Sequence, residues 1–173
     1  MKLGRKIRKA KVRCLLFFRK YFSRKVYNFI IYQITKTKFL KHIHSNKTVL
    51  QKSKNLDPIN IHEFKITSQN NEDGIIDFLS KNIIKPDKKF FEVGFDYHEF
   101  NTLNLIKQNW SGGLIDGDIL KCDKLKVCIS NNFSNEKVII KNQFVDYENI
   151  NEIIKSVITD TNFDFFSLEL WRT

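Results

Sequence analysis

Two short acidic clusters carry the chemistry this chain could do. In KFFEVGFD an apolar run closes on Glu92 and Gly94 and is followed by Asp96, and in GGLIDGD the next run closes on Asp116, Gly117 and Asp118. A glycine at a strand end lets a ligand approach the backbone, and a carboxylate there accepts hydrogen bonds from hydroxyl or ammonium groups. In an open α/β sheet, the acid ending the second strand stands where both hydroxyls of a ribose are bound. Taken singly, such an acid is more often a surface charge or a helix cap. Weight comes from the order and separation of the two clusters on consecutive strands.

The elements that must position them alternate. EDGIIDFLSKNI puts Ile75, Ile76, Leu79 and Ile83 on one helical face, ended by Pro86. KFFEVG is a buried strand stopped by Gly94, and FNTLNLIKQNW is a helix with Leu103, Ile106 and Trp110 on one face. GGLIDGD, KVCIS (126–130) and KVIIK (137–141) read as further strands, ENINEIIKSVI as a helix and FDFFSLEL as a closing strand. Helices alternating with short, nearly continuous apolar strands predict an α/β domain with a mainly parallel sheet covered on both faces.

The 173 residues suffice for one such domain and an appendage. Charge divides the chain: residues 1–56 hold 17 Lys or Arg and no acid, whereas residues 57–173 hold 13 basic and 19 acidic residues. The boundary is expected at NLDPIN, giving a basic helical arm over 1–56 and the α/β domain over 57–173. Residues 5–43 lack Pro, and lack Gly as well, so they allow one long helix or two shorter ones. Their uncharged runs, CLLFF and VYNFIIYQIT, are shorter than the roughly 20 apolar residues of a spanning helix. Arg19 and Lys20 interrupt any signal-peptide core. The arm suits an anionic membrane surface, with Phe17, Phe18, Phe22, Tyr27, Phe29 and Ile31 among the residues dipping into the interface. It also suits nucleic acid, or packing on its own domain or a partner; in the absence of any named nucleic-acid motif, no nucleic-acid partner is expected. Cys14, Cys122 and Cys128 lack metal-ligand spacing and read as reduced thiols of a cytoplasmic chain, peripheral at the membrane if the arm binds it. His42 and His44 lack a third ligand nearby, and no metal is expected.

Three stretches, SQNNEDGIIDFL, FFEVGFDYHEFNTLNLIKQNWSGGLIDGD and FDFFSLEL, together resemble the first half of FkbM-type methyltransferases over residues 66–170. Members of that family read close to S-Q-N-G-E-D-G-I-I, which Ser68, Gln69, Asn70, Glu72, Asp73 and Gly74 match. Glu92, Gly94, Asn101 and Thr102 match part of F-V-E-F-G-A-G-D-G-x-x-x-N-T. Trp110, Gly112, Asp116, Gly117 and Asp118 match G-W-x-G-x-x-I-x-G-D. The resemblance implies a Rossmann-like methyltransferase sheet, S-adenosylmethionine as cofactor, and O-methyl transfer to a glycan or small molecule. It implies that Glu92 and Gly94 line the methionine and adenosine side and that Asp116 holds the ribose. Asp96 and Asp118 belong to the same loops, and Gln69, Asn70, Glu72 and Asp73 close the pocket. Read from the residues alone, SQNNEDG is equally a helix start, with Asn70 or Asn71 as N-cap and Glu72 and Asp73 in the first turn.

Two departures from the family pattern carry expectations of their own. Phe95, Asp96, Tyr97, His98 and Glu99 replace a glycine-rich turn, and their bulk is expected to crowd a cofactor that depends on backbone approach. The family's fourth strand runs on into D-G and further elements that shape the acceptor site, where this chain has Glu169 and then Leu170 to Thr173. The expectation is a sheet incomplete at its C-terminal side and a truncated, inactive domain, or one completed by another chain at the 163–170 strand edge. The alternative is a non-catalytic module that docks a membrane surface or a partner through its arm, with the α/β unit as scaffold.

Overall fold

The computed structural model describes residues 2–43, 48–49, 58–68, 70–133, 137–158 and 162–169. Two helices, α1 (Lys2–Tyr21) and α2 (Arg24–Ile43), come first. Between them the Ser23 hydroxyl accepts the Val26 amide at 3.4 Å and caps α2. A short antiparallel pair, β1 (Thr48–Val49) with β2 (Phe64–Lys65), and a 3-10 turn at Pro58–His62 lead into α3 (Glu72–Asn82). Then follow β3 (Lys89–Val93), α4 (Leu103–Lys107), β4 (Ser111–Asp116), α5 (Ile119–Asn132), β5 (Val138–Asn142), α6 (Ile150–Val157) and β6 (Phe165–Leu168).

The last four strands form one parallel sheet in the order β5-β4-β3-β6. Because side chains alternate across a strand, Phe90, Leu114 and Ile140 join the core beneath α4 and α5, while Phe91, Val93 and Ile115 join a second core with Ile153 and Val157 of α6. Both faces of the central strands β3 and β4 are covered, whereas Ile139 of β5 and Phe166 and Leu168 of β6 stay largely exposed. The fold is thus α/β with a parallel sheet, as the alternating pattern predicts.

The predicted strand at 126–130 is instead the second half of α5. Asp118 caps this helix by accepting the amides of Leu120 and Lys121. Leu125, Cys128 and Ile129 continue the buried face begun by Leu120 and Cys122, a three-to-four spacing visible only when KVCIS is read with the residues before it.

Helix α2 packs along α5. Tyr27, Ile31, Thr35 and Phe39, each four residues on, are all buried. Tyr27 and Ile31 therefore face the domain and not a membrane. Where α1 meets α2, buried Asp123 of α5 accepts hydrogen bonds from Arg19 at 2.8 Å, Arg24 at 3.1 Å and the Tyr27 hydroxyl at 3.0 Å. The domain boundary expected near residue 57 lies outside the described residues. No described helix is long and apolar enough to cross a membrane.

Candidate functional site

The chain lays β4 and then β5 outward from β3 and returns to place β6 on the other flank of β3. Strand order reverses at β3, and in open α/β sheets ligands bind in the crevice outside the carboxyl ends of the strands at such a point. A cavity of about 290 Å³ lies there, its wall formed by Gly94, Asp116, Gly117, Lys121, Phe144 and Glu169 among others. Gly94 is left-handed at φ 78°, and its amide donates to the Ile115 carbonyl at 2.8 Å. A Cβ at this position would collide with the carbonyl oxygen of Glu169, which follows β6. Only glycine lets the two strand ends meet so closely. On the opposite side the Phe144 ring covers Gly117, where an added Cβ would come within 2.9 Å of it. Phe144 is 81% exposed, so its ring forms an open aromatic wall.

Asp116 and Asp118 both reach this cavity. The Asp116 carboxylate accepts the Phe95 amide at 3.2 Å through one oxygen and the Asp118 amide at 2.6 Å through the other, with the Lys121 ammonium at 3.5 Å. The oxygen that accepts the Asp118 amide retains capacity for a further donor. The Asp118 side chain is engaged at the start of α5.

The other motif acids turn away. Glu92 is fully buried and shares its sheet face with Phe90, so its carboxylate meets the start of α4. It accepts the Asn101 amide at 3.0 Å, the Thr102 amide at 3.1 Å and the Thr102 hydroxyl at 2.6 Å. Burial pushes this carboxyl up to about 7, against the pull of those donors. Glu92 is not on the cavity wall, and its role is to hold the β3-to-α4 loop. Asn101 extends the link by donating to the Ser167 hydroxyl of β6 at 3.0 Å.

Asp73, also fully buried, organises the SQNNEDG segment. It accepts the amides of Ile66, Thr67 and Ser68 and the hydroxyls of Thr67 and Ser68, and its own amide donates back to the Ser68 hydroxyl. Asn71 occupies the N-cap position in a left-handed conformation without a side-chain cap bond, so this reciprocal Ser68–Asp73 pairing starts α3 in its place. Glu72 accepts both the backbone amide and the side-chain amide of exposed Asn70. Burial opposes its ionisation, and these hydrogen bonds outweigh burial and keep its carboxyl below the usual range. Gln69 lies outside the described residues.

The crowding expected of residues 95–99 does not arise. Phe95 is fully buried in the core, Tyr97 packs against the same core with the Lys124 ammonium 5.0 Å from its ring centre, and none of the five lines the cavity. Asp96 pairs with Glu99 across the turn and lies 2.7 Å from Nδ1 of His98. Burial opposes its ionisation, yet the contact with His98 and the charges of Lys121 and Lys124 hold the Asp96 carboxyl below the usual range. Glu169 behaves oppositely: burial first, then the nearby charges of Glu72, Glu99 and Asp96, push its carboxyl up against Lys121. Acids from two other motifs thus act on Glu169, which alone among these four lines the cavity.

Sequence reasoning missed Phe144 and Lys121. Lys121 carried the signal of a cation one turn after a strand-end acid; Phe144, an aromatic in the polar loop KNQFVDYEN, carried none that was local. Cys122 and Cys128 are buried and their thiols are pushed up to about 12 and about 11 by burial, so neither is a nucleophile. Among the described residues no group of His, Cys, Asp or Glu could hold a metal ion. No family model, curated protein or solved structure matches the chain.

Proposed function

We propose that this domain binds S-adenosylmethionine at the carboxyl ends of β3 and β4, as the FkbM-type resemblance implies, and that it serves methyl transfer to a hydroxyl of a glycan or small molecule. The observation that carries the reading is the cavity at the strand-order reversal, with a left-handed glycine on one side and an acid and an exposed aromatic ring on the other. Its volume of about 290 Å³ lies at the lower end of small-molecule sites and suits a nucleoside. Asp116, Asp118 and Glu169 on the cavity wall suit a ligand bearing positive charge.

The residues present fit the cofactor. Asp116 has acceptor capacity for a ribose hydroxyl, Phe144 offers its ring to the flat base, and Gly94 permits close approach of the backbone. When bound, S-adenosylmethionine supplies an electrophilic methyl group. Glu169, on the cavity wall with its carboxyl pushed up by burial and neighbouring acids, is the group placed to accept the proton of an acceptor hydroxyl.

Calorimetric titration of S-adenosylmethionine into the full chain tests the reading. Saturable binding is expected, weakened about tenfold or more by Phe144→Ala through loss of stacking. Phe144 is exposed, so this variant keeps its fold; Asp116→Asn alters ligand contacts and the Phe95 and Asp118 amides together. A folded chain that takes up no cofactor, or a Phe144→Ala variant that binds as tightly as the parent, would sink the proposal.

A further inference from the structure

Helix α1 contributes little to the domain core. Every described side chain in it is exposed except Leu15 and Phe18, which pack beside Tyr27 and Ile31. Lys and Arg make up nine of its 20 residues, and no acid is present. Like charges stand three or four apart at Lys6 and Lys9, Arg8 and Lys11, and Lys9 and Arg13, an arrangement that destabilises a helix in water. Yet the apolar residues are not scattered. Ile7, Ala10, Cys14, Phe17 and Tyr21 recur at spacings of three and four along an arc of about 100°. Three of them are large and more than half exposed: Ile7 at 51%, Phe17 at 55% and Tyr21 at 63%. Lys6 and Lys11 flank the arc at positions where long stems can lie along an apolar surface while the ammonium groups reach outward. Helix α2 adds Val26 and Phe29 on the side opposite its packed face, and Phe22 adds to them from the turn between the helices, all exposed.

We infer that α1 is a docking helix for an anionic lipid surface, with the Ile7-to-Tyr21 arc dipping below the headgroups and the flanking lysines and arginines at their level. Charge complementarity selects this occupant. A negative surface relieves the repulsion along the helix, which a second copy of the chain would double. The apolar arc selects a lipid over a polyanion without an apolar phase, since phosphates alone give Phe17 and Ile7 nothing to enter. The inference is independent of the cavity, which shares no residue with α1.

The test is flotation of the full chain with vesicles of neutral phosphatidylcholine and with vesicles containing anionic phosphatidylglycerol. Recovery with the anionic vesicles alone is expected. The double substitution Ile7→Ser and Phe17→Ser is expected to lower vesicle affinity about tenfold or more, the effect of removing two buried apolar side chains. Both residues are exposed, so the urea midpoint of the variant should match that of the parent. Absence of vesicle binding overturns the inference. Vesicle binding unchanged by the double substitution also overturns it, because charge alone would then hold the helix. So does equal capture of the parent and the variant by an RNA duplex that displaces the vesicles, which would mark α1 as a polyanion site.

Discussion

Glu92→Gln turns the buried carboxyl of β3 into a measurable dependence of stability on pH. Burial pushes that carboxyl up to about 7 from an ordinary 4.5, although the Thr102 hydroxyl and the Asn101 and Thr102 amides pull the other way. The folded chain therefore binds this proton more tightly than the unfolded chain does. The resulting stabilisation is complete below 4.5 and is lost as the pH rises through about 7. At about 1.4 kcal/mol for each pH unit separating the two values, the whole effect is about 3 kcal/mol. Most of it, about 2–3 kcal/mol, falls between about pH 5 and about pH 8. Glutamine keeps the shape and one acceptor oxygen but cannot titrate. Urea unfolding of parent and variant in matched buffers, followed through buried Trp110, gives the difference in free energy at each pH, with the other carboxylates cancelling. The parent's stability relative to the variant should fall by about 2–3 kcal/mol across that range. A difference that stays flat would refute the reasoning, because it would mean that the three donors offset burial at this group.

Two further substitutions test the framework of the site. Gly94→Ala sets a methyl group against the Glu169 carbonyl on a backbone at φ 78°, so pairing of β3 with β6 must yield; a loss of about 2–3 kcal/mol in urea unfolding is expected, and an unchanged midpoint would remove β6 from this position. Asp73→Asn replaces one acceptor oxygen with a donor amid three amides and two hydroxyls. The stranded donors should cost about 2–4 kcal/mol and speed tryptic cleavage after Lys65, just before the loop; stability within about 0.5 kcal/mol of the parent would show that the loop does not depend on this carboxylate.

What was legible in the sequence followed from how completely an element is buried. Strand β3 announced itself because a parallel strand covered on both faces has to be apolar at nearly every position, as in KFFEV, whereas β5 and β6 were legible from apolar runs although Ile139, Phe166 and Leu168 stay largely exposed. KVCIS has the same composition, and only the helical register running from Leu120 distinguishes it as part of α5. The docking of α2 was hidden for a different reason. Tyr27, Ile31, Thr35 and Phe39 form a regular stripe, but Phe29, Ile30 and Ile34 surround it with competing apolar positions and basic residues obscure the rest. Phe144 was beyond reach: its contact with Gly117 depends on β5 lying beside β4, which no local pattern states.

The motif acids also differ in what their presence means. Asp73, Glu92 and Asp118 spend their oxygens on backbone amides at the starts of α3, α4 and α5, so the fold alone requires an acid at each place. A chain can keep these residues whether or not a ligand ever enters, and replacing one would impair binding merely by loosening the helix it starts. Asp116 is intermediate, since it fixes two amides and still faces the cavity. Phe144 and Glu169 have no comparable structural task among their side-chain contacts: one is a largely exposed ring over Gly117, the other a carboxyl raised among like charges. Residues that cost the fold little to lose are the ones that can report on a ligand. Phe144→Ala therefore separates cofactor binding from folding in a way that no substitution of the strand-end acids can.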